Sequence, residues 1–192
     1  MKQQRKKSAL FGLILLCLLS ICVIATPAWA ASDRYDSMVY DLTLLPNGDM
    51  QFVLNAQASF PSSYSTAFFE VKREGFAAIT DVWVKVNGQS AQQLDVPDSA
   101  VRPGYFYYSD EGDPYAALSN HPELKNQYTV QDVPAQYKSG NPYFEWYISK
   151  EQSQFQFEIG YTATEAVHVY EDTAEFYWQP IAAENGFPVD SV

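Results

Sequence analysis

The sequence predicts an all-β protein, an antiparallel β-sandwich of about eight strands that follows an N-terminal signal helix. The clearest strand is Phe155–Tyr161, in which apolar and polar residues alternate with a period of two, as in a strand with one buried face. Turn signals recur at short intervals, and no stretch carries the apolar periodicity of an amphipathic helix. Together these features are typical of sandwiches and barrels.

Alternation and turn residues predict where the strands begin and end along the sequence. Asn47-Gly48 and Asn87-Gly88 supply the positive-φ residues of tight turns. Residues 90–102 are predicted to form a polar loop. The stretch 109–142, which carries four prolines, is predicted to be a long loop with a helical turn near Tyr115–Leu118. The predicted strands are 38–44, 50–56, 67–72, 80–86, 105–108, 144–148, 155–161 and one that begins at Val167.

Residues 1–30 are predicted to be a Sec signal peptide, which leaves 31–192 as a single domain. A basic cluster at residues 2–7 precedes an uncharged apolar core and an Ala28-Trp29-Ala30 cleavage motif. The core runs 17 residues, only just short of a membrane span, so an uncleaved N-terminal anchor is the alternative. Either form exports the domain, which is expected to be extracytoplasmic, secreted or at the cell surface.

Cysteine content and charge exclude several classes of function. Cys17 and Cys22 both lie in the signal segment, so the domain has no disulfide, thiolate zinc site or cysteine nucleophile. Four of the 12 basic residues lie there too, which leaves 8 against 23 acidic residues, a formal charge of −15. This charge argues against nucleic acid or a bare anionic membrane as partner. The expected partner belongs to the cell envelope or its exterior, with membrane contact only through an uncleaved anchor or a separately encoded protein.

Candidate metal-binding and catalytic residues are few, and no catalytic, cofactor or metal site is predicted. His121 lies in the long loop, and His168 is expected on a strand surface, so both are interpreted as ordinary surface histidines. Asp110-Glu111-Gly112-Asp113 lacks the spacing of an EF-hand loop and is interpreted as a solvated turn. The motifs of serine hydrolases, phosphate-binding loops and zinc proteases are missing from the sequence.

A carboxylate cluster and a set of aromatic residues leave one alternative open. Glu171, Asp172 and Glu175 form the best acidic cluster, and a glycosidase needs two carboxylates across a sugar. Neighbouring residues on a strand point to opposite faces, so the cluster alone does not indicate catalysis. Core packing is the preferred interpretation of the aromatic residues, although exposed rings would suit sugar stacking. These aromatic residues are Tyr105–Tyr108, Trp83, Trp146 and Trp178.

Three stretches resemble a known bacterial family, the N-terminal extracytoplasmic domain of predicted membrane proteins called domain of unknown function 2207. Tyr40–Phe52 (YDLTLLPNGDMQF) and Ile79–Gly88 (ITDVWVKVNG) resemble its opening hairpin and an I-x-D-V-x-V strand. Tyr161–Ile181 (YTATEAVHVYEDTAEFYWQPI) resembles its strongest signature. The positions that fall on that signature, with no known role, are Tyr170, Asp172, Glu175 and Trp178.

The resemblance implies a β-rich extracytoplasmic domain followed by transmembrane helices, with no established activity. This sequence departs from the family pattern at Leu54, where a glutamate is usual, and it ends at Val192, where the family continues. A short secreted form or a truncated gene, with one sheet edge left open, is therefore expected. The predicted function is a non-catalytic binding or scaffolding module. The alternative is a carbohydrate-binding or carbohydrate-active domain.

Overall fold

The structure is a computed structural model that describes residues 32–61, 63–97, 103–178 and 188–191. The predicted signal segment, residues 1–30, lies outside the described residues. The all-β prediction is confirmed, because two mostly antiparallel sheets pack face to face around one core. The strands are β1 (Arg34–Leu44), β2 (Met50–Ser59), β3 (Thr66–Glu70), β4 (Ile79–Val86), β5 (Gln89–Ser90), β6 (Gln92–Leu94), β7 (Tyr105–Ser109), β8 (Tyr143–Tyr147), β9 (Gln154–Ala163), β10 (Val167–Val169) and β11 (Ala174–Phe176).

The larger sheet has the order β1-β2-β9-β4-β5, and all of its neighbours are antiparallel. Its central strand β9 follows the predicted alternation. Phe155, Phe157 and Ile159 are buried, whereas Gln154 and Gln156 are exposed. The period-two pattern therefore predicted correctly which face of this strand packs in the core.

The smaller sheet has the order β3-β8-β7-β6. Strand β6 runs parallel to β7, with Gln92 opposite Tyr105. The prediction that residues 90–102 form only a loop was therefore wrong at β5 and β6. These strands have two and three mostly polar residues, too few to show an apolar alternation.

The core lies between the two sheets and is rich in aromatic rings. Trp146 of the smaller sheet packs edge-on against Phe157 of the larger one, with ring centroids 5.1 Å apart. Phe144 lies 5.8 Å from Tyr161, which stacks on Phe52 at 4.9 Å. Aromatic rings from both sheets thus pack against one another and hold the two layers together.

Residues 110–142, here called the cover, fold over the outer face of the smaller sheet. The helical turn predicted near Tyr115 is present as α1 (Pro114–Asn120), followed by 3-10 turns at Pro122–Asn126 and Ala135–Tyr137. Asp113 caps α1 by accepting a 2.7 Å hydrogen bond from the Tyr115 amide. The cover has a small apolar cluster of its own, formed by buried Ala117, Leu124 and Val133.

The two ends of the cover meet at Arg73. Its guanidinium forms a 2.7 Å ion pair with Asp110 and donates a 2.8 Å hydrogen bond to the Gly140 carbonyl. Beside it, the Gly140 amide donates to the Glu111 carbonyl at 2.8 Å, and Lys138 forms a 2.8 Å ion pair with Glu111. This junction, here called the neck, holds both ends of the cover together.

Strands β10 and β11 form a separate two-stranded hairpin beyond the end of β9. The Val167 amide donates to the Gly48 carbonyl at 3.2 Å, and the Glu165 amide donates to the Asp49 carboxylate at 3.0 Å. These bonds place the hairpin beside the β1–β2 turn. Trp178, which follows β11, packs on Tyr40 and Phe52 with centroid distances of 4.9 and 4.8 Å.

Candidate functional site

The structure brings the four signature residues to the β10–β11 hairpin and the chain directly after it. Tyr170, Asp172 and Glu175 are exposed, and Tyr170 and Asp172 lie at its turn, where the Tyr170 amide donates to the Thr173 carbonyl at 2.7 Å. Trp178 is half-buried against the core. Three of the four side chains are therefore available to solvent, and the fourth fastens the hairpin to the sandwich.

The hairpin exposes an apolar surface. Phe176 is 39% exposed and Tyr177 is 60% exposed. Val169 is 76% exposed. Val169 lies on the same face of the hairpin as Phe176, because Phe176 pairs with Val167, and exposed apolar groups that lie together mark sites of contact. The term hairpin patch is used here for Val169, Tyr170, Phe176 and Tyr177.

Apolar residues at the end of β1 are also uncovered. Leu42 and Leu44 pair with the buried residues Phe52 and Met50, so they lie on the core-facing side of the larger sheet. They are nevertheless 40% and 58% exposed. Phe52, the cross-strand partner of Leu42, contacts Phe176 of the hairpin patch at 6.2 Å. The end of β1 and the hairpin patch therefore lie side by side.

Hydrogen bonds at the two ends of β1 show which of its backbone groups point away from β2. The Met38 amide donates outward to Ser191 at 2.9 Å, whereas the Leu45 amide donates to Asp49 across the hairpin at 2.9 Å. Backbone groups of an antiparallel strand alternate in direction, so the amides and carbonyls of Leu42 and Leu44 point outward. Among the described residues, none of these groups has a hydrogen-bond partner on that side.

The first half of the same edge is already occupied. Residues 188–191 run parallel to it, with a bridge between Tyr35 and Val189 and a 2.9 Å bond from the Asp190 amide to the Tyr35 carbonyl. The edge therefore accepts an added parallel segment as far as Met38. The last part of β1, residues 41–44, is here called the open edge, because among the described residues the outward backbone groups of Leu42 and Leu44 have no partner.

Acidic groups predominate around the open edge and the hairpin patch. The sequence has no lysine or arginine between residues 35 and 71 or after Lys150, the stretches that form β2, β9, the hairpin and all of β1 except Arg34. The acidic residues on these stretches near the site are Asp41, Asp49, Glu165, Glu171, Asp172 and Glu175. The local potential is therefore negative and favours cationic partners.

The other aromatic residues singled out in the sequence do not join this surface. Phe106, Tyr107 and Trp146 are buried. Trp83 is half-buried on the outer face of the larger sheet, where its indole lies over Gly160 and Lys85 sits 4.9 Å from the ring centroid. Most of these rings are thus packing residues, as the preferred interpretation held.

The remaining candidates show no metal-binding arrangement. His121 forms a 3.2 Å pair with Glu123, and His168 is an exposed residue of β10. Within the described ranges no group of three or more histidine, cysteine, aspartate or glutamate side chains is placed to hold a metal ion. Asp113 of the acidic turn caps α1 instead.

Sequence reasoning missed one unusual residue, Glu145 in β8. Its side chain lies with Tyr143 and Tyr147 on the outer face, under the cover, and is only 4% exposed. Its Oε2 atom has no hydrogen-bond partner among the described residues. Burial, and then the nearby Asp113 carboxylate, raise the pKa of Glu145 to about 7. The only signal in the sequence was an acidic residue between four aromatic ones.

Comparison with known proteins agrees with the resemblance noted above. The model of the family described as predicted membrane protein (DUF2207) N-terminal domain matches residues 34–192. No curated protein and no solved structure matches the chain. Among the described residues, no helix is long and apolar enough to cross a membrane. Because the match spans all of the sandwich, the cover and the hairpin, the chain belongs to the DUF2207 N-terminal domain family.

Proposed function

We propose that this domain is an exported, non-catalytic binding module that takes up an extended segment of a partner polypeptide. The segment adds a strand to the open edge and rests its side chains on the hairpin patch. The single observation that carries the proposal is that the outward backbone groups of Leu42 and Leu44 have no partner within the described ranges and lie beside exposed apolar side chains. An edge of this kind is a template for strand addition.

The side chains of the site indicate the chemistry of the partner. Strand addition gives affinity through main-chain hydrogen bonds, and alternate side chains of the added strand give specificity. Leu42, Leu44 and Phe176 offer apolar contacts, whereas Asp41 and Glu175 lie on the acidic stretches. The expected segment therefore alternates apolar residues with lysine or arginine.

A non-catalytic role is supported by the position of the acidic cluster. Glu171, Asp172 and Glu175 are all exposed on a two-stranded hairpin. A glycosidase requires one carboxylate whose environment raises its pKa, and two carboxyl groups held across the scissile bond. The surroundings of these three residues do not supply a low-dielectric environment.

Carbohydrate binding is the second candidate, and the exposed rings of Tyr170 and Tyr177 favour it. Sugars stack on aromatic rings and would not use the backbone of β1. The two functions therefore depend on different atoms, and substitutions separate them.

The test compares two substitutions at one position. Random ten-residue peptides displayed on phage are selected on the purified domain. The selected peptides are then measured against Leu42→Pro and Leu42→Ala. Proline removes the outward N–H but no bond to β2, because proline is tolerated on the free side of an edge strand. We expect Leu42→Pro to abolish binding and Leu42→Ala to weaken it by about tenfold or less.

Amide exchange of Leu42 and Leu44 should slow when a selected peptide binds. Selection of no peptide, or equal effects of the two Leu42 variants, would contradict strand addition. Binding of a soluble glycan that is lost in Tyr170→Ala and kept in Leu42→Pro would support the carbohydrate alternative instead.

A further inference from the structure

Glu145 is a buried acidic residue, and one of its carboxyl oxygens lacks a hydrogen-bond partner among the described residues. The side chain is 4% exposed, and Oε2 has no hydrogen-bond partner within the described part of the chain. Buried polar groups are nearly always hydrogen-bonded, because leaving one unpaired costs free energy. An ionised carboxylate would cost far more in this position than a protonated one.

Among the described residues, no element packed against Glu145 contributes a compensating positive charge. Its own strand contributes Tyr143 and Tyr147, and its cross-strand neighbours are Phe68 of β3 and Tyr107 of β7. The cover contributes Asp113 and Tyr115, which both interact with it electrostatically. Glu70 on β3 adds a negative charge near Asp113. The groups that face Glu145 are therefore phenols and carboxyls.

The two cations of the neck are paired with other carboxylates. Arg73 pairs with Asp110, and Lys138 pairs with Glu111, both at the neck. Among the described residues neither forms an ion pair with Glu145. A negative charge on Glu145 would therefore be buried without a counter-ion and close to a second carboxylate.

The cover is built as a unit that can separate from the sheet. Its ends are joined at the neck, and Ala117, Leu124 and Val133 form a cluster distinct from the main core. Its polar contacts with the sheet include the 2.8 Å bond from Ser139 to Glu70. Separation would hydrate Glu145 and remove the sheet on which the short helix and turns of the cover pack, so that their internal hydrogen bonds fray while the core of the sandwich stays intact.

We propose that the cover opens when Glu145 loses its proton, so that the outer face of the smaller sheet is covered in acid and uncovered at alkaline pH. The proton passes to water, and the carboxylate is hydrated in the open state. Opening exposes the ring edges of Tyr107, Tyr143 and Tyr147. The neck at Arg73 keeps the open cover attached.

The direction in which pH changes the stability of the closed state follows from the pKa of Glu145 in the closed and open states. It is about 7 when the cover is closed, against 4.5 for a carboxyl group in water. The closed state is therefore most stable below about pH 4.5 and loses stability as the pH rises to about 7, above which the loss is constant. The difference corresponds to roughly a 300-fold change in the opening equilibrium.

Amide hydrogen exchange measures this equilibrium directly. The amides of His121 and Tyr128 are hydrogen-bonded inside the cover, to the carbonyls of Ala117 and Leu124. After correction for intrinsic exchange, we expect their protection to fall roughly 300-fold between pH 4.5 and pH 8. Amides of β2 and β9 serve as the internal reference and should retain their protection.

Three variants complete the test. Glu145→Gln should abolish the pH dependence of the cover amides. Asp113→Asn, which retains a good helix cap, should reduce this pH dependence, because it removes the repulsion between the carboxylates of residues 113 and 145. The exposed Glu151→Gln should leave it unchanged. Constant protection in the wild type, or an equal fall in Glu145→Gln, would overturn the proposal. If Glu145→Gln does not fold, an unreduced fall in Asp113→Asn would overturn it.

Discussion

Close contacts in the folded domain determine which residue type fits at some positions, and the sequence alone does not reveal these contacts. Gly160 lies in the middle of β9 opposite Trp83, and a Cβ atom at this position would overlap the indole ring. The glycine thus gives Trp83 room to lie flat on the sheet, where Lys85 contacts the ring and pairs with Glu158 at 2.8 Å.

The substitution Gly160→Ala should destabilise the domain. The added methyl group forces the Trp83 indole off the sheet, which costs about 1–3 kcal/mol of unfolding free energy. Chemical denaturation measures this value. Trp83→Ala is the matched background: there, Gly160→Ala should have a much smaller effect, and equal effects in both backgrounds would show that the indole does not fill the space over Gly160.

The elements of the sandwich follow from local patterns, and the regions around it do not. Strand β9 was predicted because polar and apolar residues alternate along it. Strand β8 carries aromatic residues on both faces, so the sequence could not indicate that Glu145 would be buried by a cover more than thirty residues long. Likewise β6 pairs in parallel with β7, and a strand of three residues, two of them polar, is too short for its sequence to predict that pairing.

The hairpin depends on one anchoring side chain. Trp178→Ala should cost about 2–4 kcal/mol, because the indole packs on Tyr40 and Phe52 but is only half-buried. Tyr177→Ala, at the exposed neighbouring position, should stay within about 0.5 kcal/mol. Thermal or urea unfolding of both variants gives the comparison. Equal losses would mean that the two rings do not differ in packing.

The candidate site was only partly accessible to sequence reasoning. The resemblance singled out Tyr170, Asp172, Glu175 and Trp178, and the structure places them on and directly after one hairpin. It could not indicate that Leu42 and Leu44 would be uncovered beside them, because their alternation is that of a buried face. Exposure at these positions depends on how far the smaller sheet extends, which is a property of the assembled fold.

At the scale of the whole molecule, negative charge dominates. The formal charge of the full sequence is −11, and the described domain carries the acidic majority. Charge of one sign keeps a protein soluble and also destabilises the compact state by self-repulsion. The absence of basic residues from 35–71 and after Lys150 concentrates this effect at the end that bears the open edge.

Stability should therefore rise with ionic strength. Moving the domain from roughly 10 mM to 150 mM NaCl shortens the screening length from about 30 to 8 Å and weakens the repulsion. We expect a higher midpoint of thermal unfolding, measured by circular dichroism at pH 7.5. Potassium sulfate at matched ionic strength controls for ion-specific effects. A lower midpoint in both salts would mean that attractive ion pairs, such as Lys85–Glu158, outweigh repulsion.

The neck at Arg73 brings residues 111 and 140 within one hydrogen bond of each other, at 2.8 Å. The residues between these two points form an insertion in the sandwich. A longer insertion would destabilise the fold only slightly, because loop-closure entropy grows slowly with length. The same junction would tolerate a foreign module of unrelated sequence whose termini are adjacent. This domain thus has a place where a new recognition element can be inserted without rebuilding either sheet.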